Sequence, residues 1–430
     1  MTDGPVRVTI DDLSAEGSGV GRLPDGRAVF VPWTAPGDVA RIRVAEDRER
    51  WARGELVALE TPGPARREPR CPLYGTCGGC RLQHVRYQDQ VAWKASRIQE
   101  SLRRIGDAEI DRPEVEPAPR EWGYRNRMSF TLKRLRNGRV VAGLHRFDAP
   151  GRVLEIRDEC LLPEEGILPV WTALREAWGP GAGALPPGGE LRLTLRNAVE
   201  GVALVVEGGR PGGDAAGLVE AVEGLVSIAH RPGGAAVATH LAGAPATRDR
   251  WFGEEIEVGS RAFLQVNREG GEALHLSVLK ELGNPADLRI VDAYCGVGGW
   301  GRRLARHGAD VVGIELDPAA VAQARAGAPP GFRVLEGRVE RHLPGLLPAD
   351  RVLLNPPRGG LDAAVTEALR RSPVPRVLYV SCNPATLARD IGRLGEGYRI
   401  RRVRGFDLFP QTPHVESVVT LDAITVSRTT

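Results

Sequence analysis

No apolar run approaches the length of a membrane span, and the N-terminus, MTDGPVRVTIDDL, has no apolar signal core. Both absences predict a cytoplasmic protein with no membrane partner. Excess charge is missing too: 58 Lys and Arg against 55 Asp and Glu leave a formal net charge of +3. Any nucleic-acid site must therefore come from local clustering and not from a global field. Aromatic residues are sparse at 5 %. Cysteine is confined to six positions, Cys71, Cys77, Cys80, Cys160, Cys295 and Cys382, three of them within ten residues. In a cytoplasmic chain that clustering points to metal or cluster ligation before disulfides.

What is present is organised in three stretches. Residues 1–62 read as a small β domain, with alternating runs (VRVTI, AVFVP, VARIRVAE, ARGELVAL) between Gly-, Pro- and Asp-rich turns. Five short strands there predict an OB-like barrel, a frequent oligonucleotide binder. Gly17, Gly19 and Gly21 precede no helix, which argues against a dinucleotide loop.

Residues 63–255 form the second stretch. Cys71, Cys77 and Cys80 have C-x5-C-x2-C spacing, with Gly75, Gly78 and Gly79 letting the backbone wrap an inorganic centre. Cys160, the one unassigned cysteine outside the catalytic half, supplies the fourth ligand. Spacing alone leaves tetrahedral zinc and a cubane cluster both open. A helix is predicted over Gln88–Gly106 from the stripe Val91, Ala95, Ile98, Leu102, Ile105, and it is expected to pack on the catalytic domain. Further on, Arg125, Arg127, Lys133, Arg134, Arg136 and Arg139 interleave with Trp122, Tyr124 and Phe130, a mixture suited to phosphate contacts and base stacking. Strands are predicted at Leu191–Arg196, Val202–Val206 and Ala236–His240, in an α+β arrangement.

Residues 256–430 alternate strand and helix, beginning with RAFLQVN (261–267) and a helix from Arg268 to Gly283. The strand Arg289–Ala293 runs into YCGVGGWGRRLA, where Asp292 and Gly296, Gly298, Gly299 and Gly301 allow a cofactor close to the backbone. Glu315 ends the next strand, 23 residues after Asp292, placed to accept both hydroxyls of a ribose. The glycine spacing is not the exact one of a dehydrogenase, and DAYCGVGGWG resembles the first motif of class I S-adenosylmethionine methyltransferases, which implies a methyl donor over a dinucleotide. Asn355, in NPPRGG, can fix a flat polar edge beside that donor. A buried strand then delivers Ser381-Cys382-Asn383-Pro384 to a turn ahead of a helix whose N-terminus would favour a thiolate. Cys382 reads as a nucleophile. Glu416, in PHVE before the last strand, reads as its carboxylate partner, with His414 as a positioning or packing residue.

FLQVN, DAYCGVGGWG, GIELDP, NPPRGG, YVSCNPATLARDI and FPQTPHVE, in this order, resemble the RNA uracil-5-methyltransferase family. SAEGSGVGRLPDGRAVFVP resembles its TRAM domain, and CPLYGTCGGCRLQH and YRNRMSF its cluster-binding and RNA-contacting segments. The resemblance spans essentially the whole chain. It implies an α/β fold with a Rossmann-like class I methyltransferase domain, a TRAM barrel and a central RNA-recognition domain, acting as a monomer. It also implies that Gln265, Tyr294, Glu315 and Asn355 contact S-adenosylmethionine, that Cys382 is the nucleophile and Glu416 the proton acceptor. By the same resemblance Cys71, Cys77, Cys80 and Cys160 hold a [4Fe-4S] cluster, with a folding role in the RNA-binding domain. Asn355 stands where many members have Asp. The NPPR form and CGVGGWG lean toward a ribosomal-RNA branch, so 23S ribosomal RNA is the expected substrate. Transfer RNA is the alternative, and a catalytically silent ribosome-assembly factor the alternative of another class.

Overall fold

The computed structural model describes residues 4–235, 237–258 and 265–424. Most of the strand predicted at 261–267 lies outside the described residues, as does Ala236. Strands Val6–Leu13, Gly19–Arg22, Ala28–Val31, Val39–Asp47 and Trp51–Thr61 close into a barrel. Their alternation turns Val8, Ile10, Val29, Val31 and Ile42 inward. At Gly21 two strands meet so closely that a Cβ would lie 2.4 Å from the Thr9 carbonyl oxygen. This glycine closes a barrel and cradles no dinucleotide.

The middle of the chain forms a seven-stranded sheet, from the edge strand Thr239–Gly243 through Arg127–Arg134 to Val153–Glu155. Helices Ile167–Ala177 and Ala215–Ala221, which the sequence did not predict, share its apolar core. Phe130 stacks on Trp171 in that core, ring centroids 4.0 Å apart. Tyr124 is buried and its hydroxyl donates to the Pro410 carbonyl at 3.0 Å. Neither ring is available to stack on RNA bases, contrary to the sequence expectation. Trp122 is instead faced by the Arg70 guanidinium, 5.3 Å from its ring centre.

The last sheet has eight strands: Phe332–Glu336, Asp310–Glu315, Arg289–Ala293, Arg351–Leu354, Arg376–Ser381, Glu416–Ala423, Tyr398–Phe406 and Glu114–Glu116. The first five are parallel, and Glu416–Ala423 is antiparallel to both its neighbours. Alternation along each strand divides the apolar side chains between two cores. Val291, Val352, Val377 and Tyr379 face one, and Ile290, Leu353, Leu378 and Val380 the other.

The helix Tyr87–Ile105 packs on this sheet's helix Pro384–Leu394, so tightly that a Cβ on Gly106 would lie 2.8 Å from the Ala388 carbonyl oxygen. Of the predicted stripe, Ile98 and Leu102 are fully buried but Ile105 is 50 % exposed. The buried face includes Gln90, Trp93 and Lys94 instead. Lys94 and Asp407 form an ion pair of 2.6 Å, both 0 % exposed. Helix and edge strand thus tie the middle of the chain into the α/β unit.

Candidate active site

The strand Arg376–Ser381 is buried from Val377 onward and pairs with Glu416–Ala423, its last rung setting Ser381 opposite Ser417. Cys382 and Glu416 are the next residues along past that rung, and the Glu416 charge acts on the Cys382 thiol. The thiol is half-buried, and Glu416 is 5 % exposed. Burial pushes the Glu416 carboxyl up to about 7, with the Arg358 guanidinium working against it. Burial also raises the Cys382 thiol, and the Glu416 charge adds to this, while Arg358 again opposes. The predicted lowering by the following helix is therefore corrected. Desolvation and the Glu416 charge raise the thiol, and Arg358 is the cation that opposes them.

Arg358 lies inside NPPRGG, yet the sequence reading did not single it out. Its Nη2 is 3.2 Å from both ring nitrogens of His414. Burial, and then Arg358, push His414 down to about 4, so near neutral pH it is uncharged and a poor proton acceptor. A second residue missed from sequence is Asp390, 0 % exposed on the helix after Cys382. Its carboxylate accepts from the Leu361 N–H and the Tyr379 hydroxyl, both at 2.8 Å, which pins the NPPRGG loop against the strand bearing Cys382.

Tyr294, Glu315 and Asn355 lie at or just beyond the carboxyl ends of three adjacent parallel strands, and Cys382 follows the next. Ligands of open α/β sheets bind at this edge. Tyr294 has a left-handed backbone, φ 64°. The Glu315 carboxylate accepts from the N–H groups of Gly296 (2.9 Å), Leu316 (2.7 Å) and Asp317 (2.8 Å). A carboxylate has about four acceptor sites, so it can still take a ligand hydroxyl. Of the four glycines expected to leave room for a cofactor, Gly296 has nothing within 4 Å of its missing Cβ. At Gly298 and Gly301 a Cβ would come within 2.6 and 2.3 Å of the Phe332 ring. Those two glycines serve helix packing. Asp292 is buried, one oxygen accepting the Gly301 N–H at 3.1 Å and the other without a partner among the described residues. Burial pushes it up to about 7. Gln265 is half-buried and belongs to a different element, its carbonyl accepting from the Asn126 amide at 3.0 Å.

Cys71, Cys77, Cys80 and Cys160 line one cavity of about 260 Å³, together with Arg125, Arg127 and Arg192. Burial pushes Cys80 up to about 12 and Cys160 to about 11, the neighbouring thiols adding to both. Among the described residues no group of three or more His, Cys, Asp or Glu is disposed to hold a metal ion.

The basic run is divided by the fold. Arg134 donates to the carbonyls of Gly181, Ala182, Leu185, Pro186 and Gly188 at 2.6–3.4 Å. It holds a loop, which corrects its expected phosphate contact. Lys133 is engaged by the Gly151 carbonyl at 3.0 Å and Glu190 at 3.2 Å. Arg136 and Arg139 are exposed, while Arg125 and Arg127 are half-buried and turn toward the cysteine cavity.

Residues 346–424 match the family model described as tRNA (uracil-5-)-methyltransferase, and residues 5–57 match the TRAM domain. The chain is 33 % identical to an uncharacterised RNA methyltransferase of Thermosynechococcus vestitus, over 97 % of each protein. It is 35 % identical to another from Gloeobacter violaceus, over 97 % of this chain and 96 % of that one. Among solved structures it is similar to the Pyrococcus abyssi tRNA (uracil-54, C5)-methyltransferase in complex with S-adenosyl-L-homocysteine. That likeness has a TM-score of 0.77 and 26 % identity, and covers 97 % of this chain and 99 % of the other. Among the described residues no helix is long and apolar enough to cross a membrane.

Proposed function

The chain belongs to this family of RNA methyltransferases, and from that premise we propose that it methylates carbon 5 of a uridine in RNA through a covalent Cys382 adduct. S-adenosylmethionine is the donor. The observation that supports the reading is that Cys382 and Glu416 each adjoin the last rung between their paired strands, beside the sheet edge where Tyr294, Glu315 and Asn355 lie.

Carbon 5 of uracil is too weak a nucleophile to take a sulfonium methyl group directly. The Cys382 thiolate adds to carbon 6, and the electrons of the 5,6 double bond move toward carbon 5 and the adjoining carbonyl as an enolate. Carbon 5 then attacks the methyl group. Its bond to sulfur breaks and S-adenosylhomocysteine leaves. Glu416 takes the proton from carbon 5, the double bond reforms, and the thiolate is expelled. A stacked base exposes neither face, so the nucleotide must be flipped into the site. Glu315 would hold the ribose of the donor, with Gln265, Tyr294 and Asn355 completing its site.

Cys71, Cys77, Cys80 and Cys160 fit a [4Fe-4S] cluster. Four thiols on one cavity are the donor set that such a cluster takes. When bound, the cluster would cross-link the 71–80 loop to Cys160. No step of the transfer passes through it. The division 1–62, 63–255 and 256–430 belongs to the same proposal, with the helix Tyr87–Ile105 and strand Glu114–Glu116 assigned to the catalytic unit by their packing. For the substrate we propose 23S ribosomal RNA, on the NPPR and CGVGGWG forms. Transfer RNA is the second reading, because the likeness to the Pyrococcus abyssi enzyme runs through all three domains and removes domain content as a discriminator.

The test uses labelled donor with unmodified transcripts of 23S ribosomal RNA and of transfer RNA. Wild-type protein methylates one of them, and the product nucleoside is 5-methyluridine. Cys382→Ala forms neither product nor adduct. Glu416→Gln stalls after methyl transfer, leaving labelled RNA bound to protein through denaturing electrophoresis. Release of methylated RNA by Glu416→Gln at the wild-type rate would remove Glu416 from the proposed role.

A further inference from the structure

Between the strands Tyr398–Phe406 and Glu416–Ala423 runs the loop that delivers His414 and Glu416 to Cys382. Connecting loops commonly lie on the surface and vary. This one is buried at every residue from 407 to 415 except Phe409 and His414. It is also held from outside itself. The Pro410 carbonyl accepts from the Tyr124 hydroxyl at 3.0 Å, and the Phe409 carbonyl from Lys94 at 3.2 Å. The Gln411 carbonyl accepts from the backbone N–H groups of Arg81 and Leu82, at 2.9 and 3.0 Å.

Gln411 is the centre of this grip. It is 0 % exposed, with φ at 68°, a left-handed conformation uncommon for a residue with a side chain. Its own N–H donates to the Gln90 Oε1 at 3.0 Å. Its Oε1 accepts from Gln90 and from Arg67, both at 3.0 Å, and its Nε2 donates to Glu121 at 3.2 Å. Every polar group of the residue is engaged. A sparsely populated backbone conformation persists where the surroundings over-determine it, and such positions gather at functional sites. Arg81 and Leu82 follow directly on Cys80, and Arg67 shortly precedes Cys71. The cysteine-bearing segment therefore closes on the loop that ends in Glu416.

We infer that Gln411 is a positioning residue for removal of the carbon 5 proton, joining the cysteine-bearing segment to the loop that aims Glu416. The inference rests on the roles proposed above for Cys382 and Glu416. It assigns the cysteine segment a service to the catalytic loop, beyond folding of the RNA-binding domain. The step affected is a single one. A loop that lets Glu416 drift leaves thiolate addition and methyl transfer intact and slows only the proton transfer that frees the product.

Two variants of the full chain test it. Gln411→Asn keeps a side chain that tolerates the left-handed backbone but cannot span from Gln90 to Glu121. Gln90→Met keeps length and volume and removes both hydrogen bonds to Gln411. Each is compared with wild type and Glu416→Gln on labelled donor and the two RNA transcripts, reading the KM for RNA, kcat and the labelled adduct. Expected are an unchanged KM, adduct several-fold above wild type, and kcat lower by about tenfold, less than the roughly 10²–10⁴-fold of a lost general base. A merely structural role lowers the active fraction, so that adduct and turnover fall together. That result in both variants, wild-type behaviour in both, or loss of folded protein in both overturns the inference. If Glu416→Gln itself traps no adduct, the reading of the catalytic pair fails, and this inference with it.

Discussion

Burial raises both Cys382 and Glu416 above their ordinary ranges, and the Glu416 charge raises the thiol further. Among the described residues Arg358 is the side chain that pulls both back. If both groups must ionise, turnover rises with pH through the region near 7 where Glu416 loses its proton, and goes on rising as the thiol ionises. Arg358→Gln removes the cation, so both groups move to higher pH and the rising limb moves with them. Below that limb each unit of displacement costs about tenfold in the ionised fraction. Activity of Arg358→Gln should therefore recover on the alkaline side, which a kcat profile against pH reads directly. A profile lowered equally at every pH would show that Arg358 does not set these ionisations. His414, already neutral near pH 7, contributes no limb of its own.

The loop 71–80 and Cys160 come from distant parts of the chain, and one cavity joins them. If each cysteine supplies one ligand, protein purified without oxygen is brown and carries about four irons. Cys160→Ala then loses iron as completely as Cys77→Ala. Full iron in Cys160→Ala would place the fourth ligand elsewhere, and stoichiometric zinc would replace the cluster reading. The strand Arg127–Arg134 and its turn call for a different test. Arg136 and Arg139 are exposed and Arg134 is bound to carbonyls. Neutralising Arg136 and Arg139 together should weaken RNA binding and flatten its dependence on salt. The log–log slope should change by about 0.7 for each single-strand phosphate that the variant no longer neutralises. Arg134→Ala should leave the slope alone and lower the unfolding midpoint in urea, because five carbonyls lose the guanidinium that donates to them.

The chain packs as a barrel and two large sheets, and the helix Tyr87–Ile105 packs with the last of them. Its Lys94 reaches Asp407 and the Phe409 carbonyl, 313 and 315 residues away. Neither charge meets water. Burial pushes Lys94 down, and Asp407 works against that shift. Removing one partner strands the other, so Lys94→Ala should destabilise the protein by about 3–5 kcal/mol. Urea unfolding followed at a catalytic-unit probe measures this. An effect confined to probes in the barrel would contradict the packing.

The α/β half was legible because its signals are local. The strands Arg289–Ala293 and Arg351–Leu354 run over the residues predicted, since a parallel strand buried on both faces is a short apolar run between turns. Cys382 after its strand and Glu315 at the end of another could be placed from a few neighbouring residues. Side-chain fates at longer range could not. Whether an arginine meets a phosphate or five carbonyls, as at Arg134, depends on a loop some fifty residues away. Whether Phe130 and Tyr124 face RNA or a core depends on which side of the sheet receives helices. Cys382 and Glu416 were each readable alone. That both adjoin the last rung of one strand pair follows from the register between two strands, and that Gln411 is held from outside its loop follows from partners at 67, 81, 90 and 121. Propensity and pattern act over a few residues, whereas the partner of a buried polar group is chosen by the topology that brings distant strands and helices together. The sequence by itself determined the chemistry carried at each position; the tertiary structure alone decided which positions meet.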